Sequence, residues 1–202
     1  GCVLWDASAP LAKYVAEHHH ELAPQRGAAL ELGCGCGLVS LALASVGIET
    51  VATDKDRAVL ESVAAANVRA NKPVLRAPVH LCQLSWGDDA AAYDAVGQLS
   101  APDRLALVVG ADVLYDEDAG RQLEATIRTM LRIAVHCTEL RVLLAAHVRR
   151  ADMEAALLAR LSDVLSFQTV HEETVVDFFA ATGSSVVRIY LGQPVDCSTM
   201  AS

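Results

Sequence analysis

Four short stretches of the chain combine backbone freedom, carboxylates and aromatic rings at spacings that could hold a ligand. The first is Glu31-Leu32-Gly33-Cys34-Gly35-Cys36-Gly37. Glycines let a backbone turn tightly and approach a ligand where a Cβ would clash. A dinucleotide loop spaces them G-x-G-x-x-G, with the pyrophosphate on the helix N-terminus. Here they fall at G-x-G-x-G, and Leu38 stands where the third dinucleotide glycine would be. Glu31 would repel a phosphate but would suit a cationic amino group. The loop therefore favours an amino-acid-bearing nucleoside over a dinucleotide, with a turn that binds nothing as the bland alternative. Cys34 and Cys36 are either a thiol pair or small fillers of the turn.

The second stretch ends at Asp54, where a carboxylate can accept hydrogen bonds from both hydroxyls of a ribose. That position does not separate one nucleoside cofactor from another, and Asp54 could equally cap a helix beside Asp56. The third is Ser85-Trp86-Gly87, where an indole invites stacking on a base or simply fills the core. The fourth, Gly110-Ala111-Asp112-Val113-Leu114-Tyr115-Asp116, delivers a carboxylate and a phenol from an apolar run. A group reacting beside a bound nucleoside would lie there. Helix capping is the plainer reading of Asp112, although Asp116 or Asp118 could serve that end.

These residues need strands that end where they begin. Ala28–Leu32, Glu49–Thr53, Val79–Leu84, Leu105–Ala111 and Arg141–Val148 read as strands, followed by two more at about Ser166–His171 and Val186–Leu191. Between them, helical spacing marks Leu38–Val46, a helix capped by Asp56 and running to about Asn71, one carrying Leu123, Ile127, Met130, Leu131 and Ala134, and Ala151–Val164. A further helix starts near Ser8 as its cap, with Pro10 in its first turn. Residues 88–102 read as a short helix plus a loop. Strands alternating with helices give a doubly wound, mostly parallel sheet. The last two strands lack a helix between them, which makes them antiparallel. Open sheets of this kind bind ligands at the carboxyl ends of their strands. All four stretches lie there.

Composition narrows the class. With 202 residues, 53% hydrophobic and 20% charged, the chain suits one globular domain, taken as residues 1–191 with a loose tail over 192–202. Opening at Gly1 inside a patterned segment, it reads as trimmed at its N-terminus. A formal net charge of -9 argues against non-specific attraction to a nucleic-acid backbone and is compatible with a basic protein partner. No apolar run reaches membrane-spanning length and no leader pattern opens the chain. The six cysteines show no zinc spacing, and reduced thiols point to the cytoplasm or nucleus. His18-His19-His20 looks like a metal site, but neighbouring helical side chains diverge by about 100°, so no metal is expected.

The chain resembles the seven-stranded class I methyltransferases, and within them the methyltransferase-like protein lysine methyltransferases that share an Asp-x-x-Tyr signature. The resemblance rests on Val3-Leu4-Trp5-Asp6-Ala7, Glu31 to Gly37, Ala52-Thr53-Asp54, Ser85-Trp86-Gly87 and Ala111-Asp112-Val113-Leu114-Tyr115, in the family's order. It implies a Rossmann-like α/β fold whose seven-stranded, mostly parallel sheet has an antiparallel final strand. It implies S-adenosylmethionine held by Trp5, Gly33, Cys34, Gly35, Asp54, Trp86 and Ala111, with Glu31 and Gly37 completing the loop, and Asp112 and Tyr115 handling a substrate lysine. Members act on chaperones, translation factors and similar proteins, so a non-histone protein partner is the expectation. Ser85 departs from the pattern, since many relatives carry Asp before the tryptophan. The competing readings are a class I methyltransferase of a small molecule or nucleic acid, a silent member acting as a binding module, and an NAD-linked oxidoreductase.

Overall fold

The computed structural model describes residues 4–23, 27–113, 116–134, 140–148, 151–176 and 184–195. Strands β1 (Ala28–Leu32), β2 (Thr50–Asp54), β3 (Val79–Gln83), β4 (Leu105–Ala111), β5 (Arg141–His147), β6 (Leu165–Val175) and β7 (Ser185–Pro194) form one sheet in the order β3-β2-β1-β4-β5-β7-β6. The first five pair in parallel, and β7 runs antiparallel to both β5 and β6. β1 and β4 are buried along their whole length, as strands in the middle of a parallel sheet must be, and Glu31 is the one charged residue in either.

Pleating sends alternate side chains to opposite faces, and each face carries its own core. Helices α1 (Ser8–Leu22) and α2 (Leu38–Ser45) pack Leu11, Val15, Val39 and Leu43 against Leu107, Val109, Leu143 and Ile189. Helix α3 runs Arg57–Val59, then a π-helical step over Leu60–Ala64, then Ala65–Asn71, and sets Leu60 and Ala64 over Ala52. On the opposite face lie α4 (Asp89–Val96), α5 (Glu117–Ile133) and α6 (Ala151–Leu161). Leu123, Ile127, Met130, Leu157 and Leu161 there meet Leu30, Leu32, Val108 and Leu144.

Three aspartates start helices, each accepting from a backbone N–H: Asp56 from Ala58, Asp88 from Ala91 and Asp116 from Ala119. Ser8 is not a cap. It is the first helical residue, and Ala7 before it makes no side-chain capping bond. The ambiguous stretch 88–102 holds α4, and the 3₁₀ turn Pro102–Arg104 follows it. β6 and β7 reach beyond their expected ends, so 192–194 pair in the sheet rather than forming part of a tail. His18 stacks on Tyr14, and among the described residues no His/Cys/Asp/Glu cluster could hold a metal ion. No helix among them is long and apolar enough to cross a membrane.

Candidate functional site

A cavity of about 730 Å³ opens at the carboxyl ends of the parallel strands. Its size falls within the range of small-molecule sites. Trp5, Gly33, Cys34, Gly35 and Cys36 line it, together with Asp54 at the end of β2. Trp86, Ala111 and Asp112, which the sequence also brought forward, line it as well. Trp5 is 45% exposed, so a large apolar ring stands at the opening.

The glycine loop takes a path that L-residues rarely follow. Gly33, Gly35 and Gly37 have φ of 72°, 50° and 82°, all left-handed. A Cβ on Gly33 would lie 3.2 Å from Cζ2 of Trp86, so the indole occupies the space that the missing side chain leaves. Trp86 thus serves both readings, lining the cavity while packing on the core. The loop is fastened from β2. Cys34 N–H donates to the Thr53 carbonyl at 2.7 Å, and Asp54 Oδ2 accepts from Gly35 N–H at 3.0 Å. Asp54 Oδ1 accepts from Asp56 N–H at 3.0 Å.

Glu31 does something other than face a ligand. It is 2% exposed, lies outside the cavity wall, and accepts from both the backbone N–H and the hydroxyl of Ser40. Ser40 is the third residue of α2, whose N-cap Gly37 has no side chain to offer. Glu31 therefore supplies a helix start with the acceptor it lacks. Gly37 likewise lies outside the wall, as the left-handed turn into α2. Burial pushes the Glu31 carboxyl up to about 7, against the pull of the Ser40 hydrogen bonds and helped by nearby Asp54. Cys34 is buried beside it, and burial pushes its thiol up too.

This makes a stability prediction. A folded pKa raised above the unfolded one means that, between pH ~4.5 and about 7, the unfolded chain gives up the Glu31 proton first. Stability is then lost as pH rises through that window and is level above it. Glu31→Gln does not titrate there, so from pH 5 to 7.5 it should gain on wild type by up to about 3 kcal/mol in urea unfolding. A wild-type-to-variant difference that is flat in pH would contradict the raised pKa.

Asp112 closes β4 with φ of 55°, a left-handed conformation that aspartate tolerates better than most residues. Its N–H donates to the Ala145 carbonyl at 2.9 Å. Oδ2 accepts from Ala7 N–H at 3.4 Å and Oδ1 from His147 N–H at 3.2 Å. The carboxylate thus ties the start of α1 to the end of β5 while lining the cavity. Tyr115, its partner in the sequence reading, lies outside the described residues.

At the β5 side of the cavity, two ionisable residues escaped the sequence reading. His147 ends β5 as Asp54 ends β2, and that shared position was the signal available. Its buried ring bonds Ser185 Oγ through Nε2 and lies 3.5 Å from Asp6 Oδ2 through Nδ1. Glu154, in the first turn of α6, gives no signal, because an acid there reads as a partner for the helix dipole.

The family model described as lysine methyltransferase matches residues 1–164. Protein N-lysine methyltransferase METTL21A of Mus musculus is 30% identical over 177 residues, covering 87% of this chain and 73% of the relative. Its Danio rerio counterpart is 30% identical over 178 residues, with the same coverage. Among solved structures, magnesium protoporphyrin IX methyltransferase from Synechocystis PCC 6803 with bound S-adenosylmethionine aligns with a TM-score of 0.59. It shares 16% identity and covers 91% of this chain and 78% of its own. The Pyrococcus abyssi tRNA (uracil-54, C5)-methyltransferase in complex with S-adenosyl-L-homocysteine gives 0.57 at 15% identity, over 91% of this chain and 38% of its own. At such identities the solved structures speak for the fold alone. The residues present fit S-adenosylmethionine: a side-chain-free turn under Trp86, and the Asp54 carboxylate beside it at the cavity wall. A family match over most of the sequence and a cavity that suits the methyl donor converge, and the chain belongs to the lysine methyltransferase family, with S-adenosylmethionine as its cofactor.

Proposed function

We propose that this methyltransferase modifies a lysine on a non-histone protein, of the chaperone or translation-factor kind, in the cytoplasm and also the nucleus. One observation carries the reading: a single cavity joins Asp54 and Trp86 at one end to Asp112 at the other, beside the exposed Trp5. A lysine side chain entering past Trp5 would reach the donor without crossing bulk water. The net charge of -9 suits a basic segment of a partner, and the free thiols Cys34, Cys36 and Cys82 suit a reducing compartment.

Trp5, Gly33, Cys34, Gly35, Asp54, Trp86 and Ala111 would hold S-adenosylmethionine, which supplies an electrophilic methyl group when bound. What the chain must add is position and dryness. The nucleophile is a neutral amine, and only about one lysine in a thousand is neutral at pH 7.4. A carboxylate is too weak a base to take the ammonium proton, so Asp112 orients the amine rather than deprotonating it. Tyr115 would add a second contact and a wall. Burial of the amine and the positive charge that the methyl donor would bring beside it lower its pKa and let the proton leave to water.

The test is to incubate the purified protein with methyl-labelled S-adenosylmethionine and protein fractions, then locate the label by mass spectrometry. Label is expected on lysine Nζ, with a rate that rises between pH 7 and 9 as neutral amine accumulates. Methyl groups found on arginine, a nucleic acid or a metabolite would overturn the lysine reading.

A further inference from the structure

The cavity has a second carboxylate at its β5 end. Glu154 is 4% exposed and lines the same space as Asp112. Its Oε2 accepts from the Tyr190 hydroxyl on β7 at 2.7 Å. Its Oε1 is buried and has no hydrogen-bond partner among the described residues. Burial, reinforced by Glu154, pushes the Tyr190 phenol up to about 12, so the phenol stays protonated and keeps donating.

A buried carboxylate oxygen without a donor is costly, and most such atoms in folded proteins are satisfied. Asp112 differs, because each of its oxygens already receives a backbone N–H. In the sheet, β1 and β4 lie between β2 and β5. Glu154 and His147 therefore stand at the far end of the cavity from Asp54. A ligand whose nucleoside sits against Asp54 and Trp86 leaves that end for the group being modified. Among the described residues none supplies Oε1 with a donor, the cavity offers a route for one, and a cationic N–H forms the strongest hydrogen bond with a carboxylate.

We propose that Glu154 is the substrate-binding residue that receives the ammonium of the incoming side chain on Oε1, with Tyr190 as the positioning residue that holds Oε2. This rests on the lysine reading above and adds to it the group that selects a cationic substrate. It also explains a buried glutamate one of whose oxygens has no donor among the described residues.

The experiment titrates the S-adenosylhomocysteine-saturated protein with butylammonium, the end of a lysine side chain, and with uncharged 1-butanol of similar shape. Binding is followed by NMR shifts at the cavity. Wild type should bind butylammonium saturably and in preference to butanol. Glu154→Gln should weaken butylammonium at least tenfold and leave butanol and S-adenosylhomocysteine affinities unchanged. Tyr190→Phe should reduce the preference for the charged probe about threefold, which general damage to the fold would not do. If Glu154→Gln fails to bind S-adenosylhomocysteine, the charged-to-uncharged ratio in Tyr190→Phe decides. No saturable butylammonium binding by wild type, or an unchanged ratio in both variants, overturns the proposal. Label landing on a non-lysine target while Glu154→Gln still loses butylammonium would sink the lysine reading and leave Glu154 standing.

Discussion

Asp112→Asn is expected to lower methyl transfer by about two orders of magnitude, roughly 2.7 kcal/mol of barrier, with S-adenosylhomocysteine affinity near wild type. Asparagine adopts left-handed backbone as readily as aspartate, so the φ of 55° should persist and the substitution tests the carboxylate alone. Two effects then combine. The negative charge that aligns a cationic side chain is gone. One of the two backbone donors, Ala7 N–H or His147 N–H, also loses its acceptor, because an amide offers a single oxygen. Losing that bond costs about 1–3 kcal/mol where the group is buried, so the melting temperature should drop as well. The two effects separate by temperature. If Asp112 were only a strap between α1 and β5, cooling well below the melting transition would restore the rate. A rate that stays low in fully folded protein assigns it to the reacting amine. Loss of S-adenosylhomocysteine binding together with activity would mean that the β4 end serves the cofactor, against the division of labour described above.

Where sequence and structure agree, the reason is local. β4 is an unbroken apolar run, and the strand begins and ends at the residues where that run begins and ends; β1 is apolar except for Glu31. The antiparallel end of the sheet followed from the lack of a helix between the last two runs, since a parallel return needs a crossover. The strand ends then carried the cavity residues, because a parallel sheet exposes its binding edge there. What was illegible depends on partners distant in sequence. A carboxylate that starts α2 and one that greets a ligand read alike along the chain, and only the fold shows Glu31 turned toward Ser40. The tie from Asp112 to Ala7 spans 105 positions and leaves no periodic trace. The same holds for Glu154 and Tyr190, which meet only once β7 has returned beside β5. β6 was read short because Glu172 and Glu173, which follow His171, are polar. An edge strand keeps its backbone pairing without an apolar face.

For Asp54→Ala the expected result is at least a tenfold loss of affinity for S-adenosylmethionine and S-adenosylhomocysteine, measured by calorimetry from a wild-type value in the micromolar range, roughly −8 kcal/mol. A carboxylate offers about four acceptor sites, and Gly35 N–H and Asp56 N–H occupy one on each oxygen. The others remain at the cavity wall for ribose hydroxyls. Two charge-assisted hydrogen bonds at about 1.5–3 kcal/mol each would carry the loss beyond tenfold. Alanine also unties the glycine loop from β2, which loosens the cradle before any ligand arrives. Asp54→Asn separates the two contributions. Its one oxygen can keep the Gly35 bond, so the loop stays tethered while the charge at the wall disappears. If ribose contacts dominate, Asn should lose nearly as much affinity as Ala, and both ligand-free variants should unfold close to wild type. If the tether dominates, Asn should bind almost normally and Ala alone should melt early. Affinity unchanged in both would reduce Asp54 to a turn residue and move recognition of the nucleoside to Trp86 and the glycine backbone.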